Sequence, residues 1–209
     1  MATISEPHQG APTTSSSVST AGSWTPSNPA PLGLAGFGLT TLVLSMFNSN
    51  LVGAGGEPVV LGMAFAFGGL AQLLAGMWEF RTGNTFGAVA FTSFGAFWLS
   101  FFFLVSFDAA KIAPAGEVGA GLGLYLWAWG IFTGLLFLCT FASSRALQLL
   151  FLLLTVTFIL LGIGASGGTA SMTHAGGYFG IATALVALYI MTADIMKATY
   201  KRSVLPLGE

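Results

Sequence analysis

Residues 84–107 read NTFGAVAFTSFGAFWLSFFFLVSF, 24 residues without a charge or a proline. Strands in globular proteins rarely exceed about ten residues, and a surface helix of a soluble protein keeps a polar face. A run this long and this apolar suits the hydrocarbon core of a bilayer, which a helix of about 20 residues crosses. The rest of the chain repeats the pattern. From Pro31 onward six such runs follow one another, at about 31–51, 58–80, 84–107, 118–141, 144–165 and 173–199. The breaks are short and polar: VGAGGE, RTG, DAAKIAPAGE, ASSR and SGGTASM. Short connections make neighbouring helices antiparallel. A membrane β-barrel would need alternating segments of about ten residues, half the length of these runs. The expected fold is an all-α membrane protein, a bundle of six transmembrane helices.

Composition agrees. Of 209 residues, 55% are hydrophobic and 6% charged, against about 25% charged in an ordinary soluble domain; the mean hydropathy is +0.84. So few charges could not clothe a soluble globule. A soluble enzyme and a disordered chain are excluded, and a net charge of −1 offers no basic footprint for a nucleic acid. One cysteine, Cys139, makes neither a disulfide framework nor a cysteine-based zinc cluster. The chain carries no HExxH, P-loop or serine nucleophile elbow. No enzyme activity, metal or cofactor is expected.

Residues 1–27 are rich in Ser, Thr, Pro and Gly, with Glu6 as their one charge and His8 among them. They lack the basic start and apolar run of a secretory signal and read as a disordered tail. Placing this tail in the cytoplasm puts Arg81, Arg145, Lys197, Lys201 and Arg202 at the inner ends of the spans and leaves only Lys111 outside. The positive-inside rule therefore favours both termini in the cytoplasm.

Polar residues in the spans carry the functional signal, because in lipid they must face protein or water. At 100° per residue, Gly33, Phe37, Thr40, Leu44 and Asn48 share one face, with Thr41 at its edge; so do Gly68, Gly69, Gln72, Gly76 and Glu79. Thr85, Thr92, Ser93 and Ser100 cluster in the third span, and Ser144, Gln148 and Thr155 line up in the fifth. Hydroxyls, amides and bulky apolar groups on such faces suit a narrow, partly wet pathway with apolar constrictions; interhelical hydrogen bonding is the plainer use of any one Ser or Thr. No acid, base or histidine sits near mid-span. Glu79, Arg81 and Asp194 stand at inner ends, as ion pairs and anchors or as gating and proton-handling groups, and His174 opens the sixth span. A strongly charged solute would find no partner at mid-membrane, whereas a small carboxylic acid, with a pKa of about 4, can be neutralised by its own proton. Gly130/Gly134 and Gly176/Gly180 form two GxxxG pairs, which suit close helix packing.

The entrance to the first span reads Asn28-Pro29-Ala30-Pro31-Leu32-Gly33-Leu34-Ala35-Gly36-Phe37-Gly38. Asn28 suits an N-cap and Pro29 a first helical position. Aquaporins carry Asn-Pro-Ala twice on half-helices; here it occurs once, ahead of a full span. The longer string resembles the NPAPLGLxGF signature of the acetate uptake transporter family, whose bacterial members include the succinate–acetate permeases. Residues 79–87 (EFRTGNTFG), 91–98 (FTSFGAFW) and the ending 204–209 (VLPLGE) also resemble that family's segments. The resemblance covers about residues 28–209.

The resemblance implies six spanning helices, a cyclic hexamer, and one pathway per subunit for acetate and other short monocarboxylates, in some members succinate, by proton symport or as a channel. It maps a constriction onto Phe37, Phe94 and Leu154, with Phe94 in place of the usual Tyr. Gln72 and Thr155 match pathway-lining polar positions, and Ala187 a small position tied to substrate size. The entrance residues Asn28, Pro29, Pro31 and Gly33 carry the signature. The rival readings are a membrane sensor or organiser that transports nothing and a pore for small neutral solutes.

Overall fold

The computed structural model describes residues 24–107, 114 and 117–208. Residues 1–23 with His8, the loop residue Lys111 and Glu209 lie outside the described residues. Among the described residues six helices are long and apolar enough to cross a membrane: α1 (Ala30–Asn48), α2 (Ala54–Thr82), α3 (Thr85–Ser106), α4 (Glu117–Ala142), α5 (Arg145–Ala165) and α6 (Ala170–Tyr200). No strand occurs among them. The chain is an all-α membrane protein.

Backbone contacts order the helices as α4, α5, α6, α1, α2, α3. Aromatic side chains close this series into a ring: Phe94 of α3 lies against Trp129 and Phe132 of α4 (centroids 6.0 and 5.9 Å apart), and Phe97 against Tyr125 and Trp129 (5.7 and 5.2 Å).

The two GxxxG pairs behave differently. On α6, Gly177 meets the backbone of Ser49, the C-cap of α1, and Gly180 meets Ser45 of α1; a Cβ at Gly176 would stand 2.8 Å from Leu161 of α5. On α4, a Cβ at Gly130 or Gly134 would make ordinary contacts of 3.4 and 3.6 Å with Phe158 and Thr155. Only the α6 pair forces the close approach that small residues permit.

α1 starts one residue later than its sequence suggests. Pro29 occupies the cap and its carbonyl accepts from the N–H of Leu32 (3.1 Å) and Gly33 (3.3 Å). Asn28 still serves the helix start, since its Oδ1 accepts from the Ala30 N–H at 3.0 Å. α2 is not uniform: it opens as a 3-10 turn over Ala54–Val59, which accommodates Pro58, and widens to a π-helix over Ala64–Ala71 before resuming as an α-helix over Gln72–Thr82. The third span also departs from its polar-face reading. Thr85 and Ser100 are exposed and Thr92 and Ser93 half-buried, while the buried residues of α3 are Gly87, Ala88, Ala90, Phe94, Gly95, Phe97 and Trp98. The ring buries its aromatic surface first.

Candidate functional site

A cavity of about 200 Å³ lies inside the ring at the end that carries Arg81 and Arg145, here called the basic end. Ala30, Leu34 and Phe37 of α1 line it, with Gln72, Asn84, Phe94, Leu154 and Asp194 from α2, the α2–α3 turn, α3, α5 and α6. Its volume is ample for several waters, each needing roughly 10–15 Å³ by this measure.

Phe37, Phe94 and Leu154 close the deep end, and each is at most 5% exposed. The Phe37 and Phe94 rings lie 5.7 Å apart, tilted by 53°. Phe94 also meets Phe151 and Phe158 of α5 at 6.3 and 6.5 Å, in addition to its two neighbours on α4. Aromatic pairs in such geometries add about 0.5–1.5 kcal/mol each beyond area burial, so the Phe94 ring is fixed from several sides. Its surroundings are rings, which suits the Phe found at this position.

One turn beyond Phe37 on α1, Thr40 and Thr41 are buried, and neither hydroxyl has a hydrogen-bond partner among the described residues; nor has the Oε1 of Gln72, a residue 1% exposed. Buried polar atoms left without partners are costly and call for an explanation. Here they adjoin a cavity: Gln72 lines it, and Thr40 and Thr41 stand just behind its closing rings. Glycines set the depth of these groups. A Cβ at Gly68 would lie 2.8 Å from the Thr40 hydroxyl and from the Trp98 ring, so α1, α2 and α3 meet there only because the side chain is missing. The π segment that contains Gly68 ends immediately before Gln72; such segments are frequent at functional sites.

At the mouth, residues 79–87 form one local device. Gly83 takes a left-handed conformation (φ 80°) and turns the chain out of α2. Asn84 then caps α3, accepting the Gly87 N–H on Oδ1 at 3.0 Å, while its Nδ2 donates to Glu79 Oε2 at 3.0 Å. The Thr82 hydroxyl reaches the same Oε2 at 3.1 Å and the Glu79 carbonyl at 2.9 Å. Glu79 is 1% exposed, and a Cβ at Gly87 would stand 2.8 Å from its carboxyl carbon. Arg81 turns away: it donates to the Trp24 carbonyl at 3.4 Å and lies over that indole at 6.0 Å. Asp194 is half-buried and lines the mouth.

The structure thus brings Phe37, Gln72, Phe94, Leu154 and Asp194 to one cavity. Thr155 stands apart, its hydroxyl donating to the Phe151 carbonyl at 2.7 Å and its methyl group facing Gly134. Ala187 is fully buried in the core beside α1 and α5. Of the entrance residues, Gly33 supports the cavity wall: a Cβ there would strike the Phe91 ring at 2.6 Å, and Phe91 lines the cavity. Ser144, read on the polar face of the fifth span, lines the cavity, whereas sequence reasoning missed Asn84 and Leu207 in the lining. Asn84 had a signal, a capping residue at a helix start; Leu207, one apolar residue after the last span, had none.

Six spanning helices closed into a ring around a cavity, with buried rings at one end and polar groups at the other, define a membrane protein built around an internal compartment. Comparison with known proteins places it further. A sequence model of the GPR1/FUN34/yaaH family matches residues 12–207, a match that begins inside the stretch read as a tail. The chain belongs to this family. It is 40% identical over 182 residues to the succinate-acetate/proton symporter SatP of Escherichia coli (strain K12), covering 87% of this chain and 95% of that protein. It is 47% identical over 173 residues to the ammonia transport outward protein 2 of Saccharomyces cerevisiae, covering 80% of this chain and 61% of that protein. A solved structure of the bacterial acetate channel SatP superposes with a TM-score of 0.81 at 39% identity, over 88% of this chain and 99% of that one.

Proposed function

We propose that this protein conducts acetate and other short monocarboxylates, with succinate as a larger substrate, across the cell membrane. The pathway runs through the cavity and past Phe37, Phe94 and Leu154. The observation that carries this reading is a polar-mouthed cavity closed by apolar rings, with the unpaired groups of Thr40, Thr41 and Gln72 beside the closure. Hydroxyls and an amide suffice for a single carboxyl group, and phenyl rings for a short alkyl group. The names of the bacterial relative and of the solved structure support the same substrate class.

In this reading the basic end faces the cytoplasm, and both termini lie there. Residues 28–209 form the transport domain and 1–27 a cytoplasmic tail. Six copies assemble as a cyclic hexamer with one pathway in each. Thr155 and Ala187 act from behind the wall, Ala187 by keeping the space beside the constriction. Glu79, Arg81 and Asp194 shape the inner mouth.

Labelled acetate flux in liposomes, with and without a pH gradient, tests this. Flux that a gradient drives uphill marks a proton symporter; flux that only follows the acetate gradient marks an anion channel; none above empty liposomes sinks the reading. Phe37→Ala should change rate or selectivity, and a folded variant with both unchanged removes Phe37 from the gate. The ammonia-transport relative favours a second reading, a path for a small neutral amine. Methylamine flux that acetate does not compete would establish it.

A further inference from the structure

Beyond α6 the chain doubles back. Lys201 takes the left-handed conformation (φ 56°) that ends the helix. The Tyr189 hydroxyl on α6 then donates to the Pro206 carbonyl at 2.7 Å. Next, the carbonyls of Leu207 and Gly208 accept from the N–H of Ala146 (3.0 Å) and Arg145 (3.1 Å), the first residues of α5. The first four N–H groups of a helix have no partner within it, and this strap supplies two of them. Gly208 (φ 76°) fits where it lies, because a Cβ would stand 2.8 Å from that of Arg145.

The strap stands at the mouth of the cavity. Leu207 is half-buried and lines the cavity together with Asn84, Ser144 and Asp194. On its other side Leu207 and Asp194 also line a separate space of about 270 Å³, bounded by Lys197 of α6 and Ser203 of the strap. Leu207 and Asp194 therefore stand between the two spaces. The strap is held by three neutral hydrogen bonds, one from the Tyr189 phenol and two from helix-end N–H groups, and by the Leu207 side chain packed against the hydrophobic core. No ring contacts of the kind that surround Phe94 hold it among the described residues.

We propose that residues 203–208 are a movable gate across the mouth at the basic end, with Leu207 as the closing side chain, in series with the constriction of Phe37, Phe94 and Leu154. Lifting the strap takes Leu207 from between the two spaces and hands the α5 N–H groups to water. The proposal rests on the reading of the cavity as a solute path, and its test has one arm that needs no transport.

In that arm Cys139→Ser removes the native thiol, Leu207→Cys or Val204→Cys introduces one, and a membrane-impermeant maleimide reports access in the purified full-length protein. The thiol at 207 should react more slowly than the one at 204, and Tyr189→Phe should raise its rate about two- to tenfold, the population shift equivalent to one neutral hydrogen bond. In the second arm Leu207→Ala should raise acetate flux from the strap side while the variant melts as a folded protein. Equal labelling at 204 and 207, or a rate at 207 indifferent to Tyr189→Phe, would overturn the gate. Labelling as expected with unchanged Leu207→Ala flux would overturn its control of the path. Expected labelling with no acetate flux in the parent protein would count against acetate transport and leave a movable strap in place.

Discussion

At the deep end of the cavity, Phe37, Phe94 and Leu154 converge from three helices far apart in sequence, and rings from α4 and α5 surround Phe94. At the mouth, Glu79, Thr82, Asn84 and Gly87 bind one another within nine residues. The first arrangement is held by packing between helices and the second by hydrogen bonds within a turn. Packing of this kind depends on the whole ring being assembled, so a gap at the deep end is shared by four helices. The turn is local, and its loss falls chiefly on the joint between α2 and α3.

Substitutions can break or sharpen that contrast. The largest effect is expected at the deep end: Phe94→Ala should cost about 3–5 kcal/mol of stability, read as a fall in the unfolding midpoint of the detergent-purified protein, with looser discrimination between acetate and longer acids. A midpoint equal to the parent's would mean that the rings do not hold the constriction. At the mouth, Glu79→Ala removes the hydrogen bonds from Thr82 and Asn84 and should cost about 1–3 kcal/mol for the two. Glu79→Gln, which keeps an acceptor for Thr82 and Asn84, should cost less; equal losses in the two variants would show that the turn does not need the acceptor. Asn84→Ala removes the cap of α3, about 1 kcal/mol, together with the bond from its Nδ2 to Glu79, about 1 kcal/mol more, and an unchanged midpoint would remove both from the account. The smallest effect on stability belongs to Gln72→Met. Replacing a buried polar group that has no partner is close to neutral or stabilising, so the midpoint should hold or rise while acetate flux falls. Unaltered flux would take Gln72 out of the path.

Sequence and structure agree where the physics is local or bulk. The spans are legible because an apolar run of about 20 residues or more has one dominant use; the second run reads as 58–80 and its helix spans Ala54–Thr82, the sixth reads as 173–199 and its helix spans Ala170–Tyr200. The inward face of α2 was legible as well, since glycine, Gln72 and Glu79 are unusual enough on a span to mark a face. All five residues assigned to that face are buried. In α3 the same reasoning held only in part. The Thr92 hydroxyl is buried against Gly76 of α2 without a hydrogen-bond partner among the described residues, whereas Thr85 is exposed and Ser100 meets both the Phe97 carbonyl of its own helix at 2.8 Å and the Tyr125 hydroxyl of α4 at 2.7 Å. The convergence of Phe37, Phe94 and Leu154 could be inferred only by family resemblance, because no spacing along the chain encodes which rings meet across a bundle. The strap was illegible for a plainer reason: six residues without periodicity carry no sign of where they dock.

The wide turns of α2 have a further consequence. A π segment is the trace of surplus length within a helix whose two ends are already committed, one to the turn at Gly83 and the other to the 3-10 start at Ala54. Removing one residue between 64 and 71 would take up that surplus and let α2 relax to a regular helix with its two ends held. Removing one within Gln72–Thr82, where there is no surplus, would instead turn one flank against the other by about 100° and take Gly76 and Glu79 off their face. A change in length is thus absorbed or felt according to where it falls, and single-residue deletions along 60–75 would map the register on which the site depends.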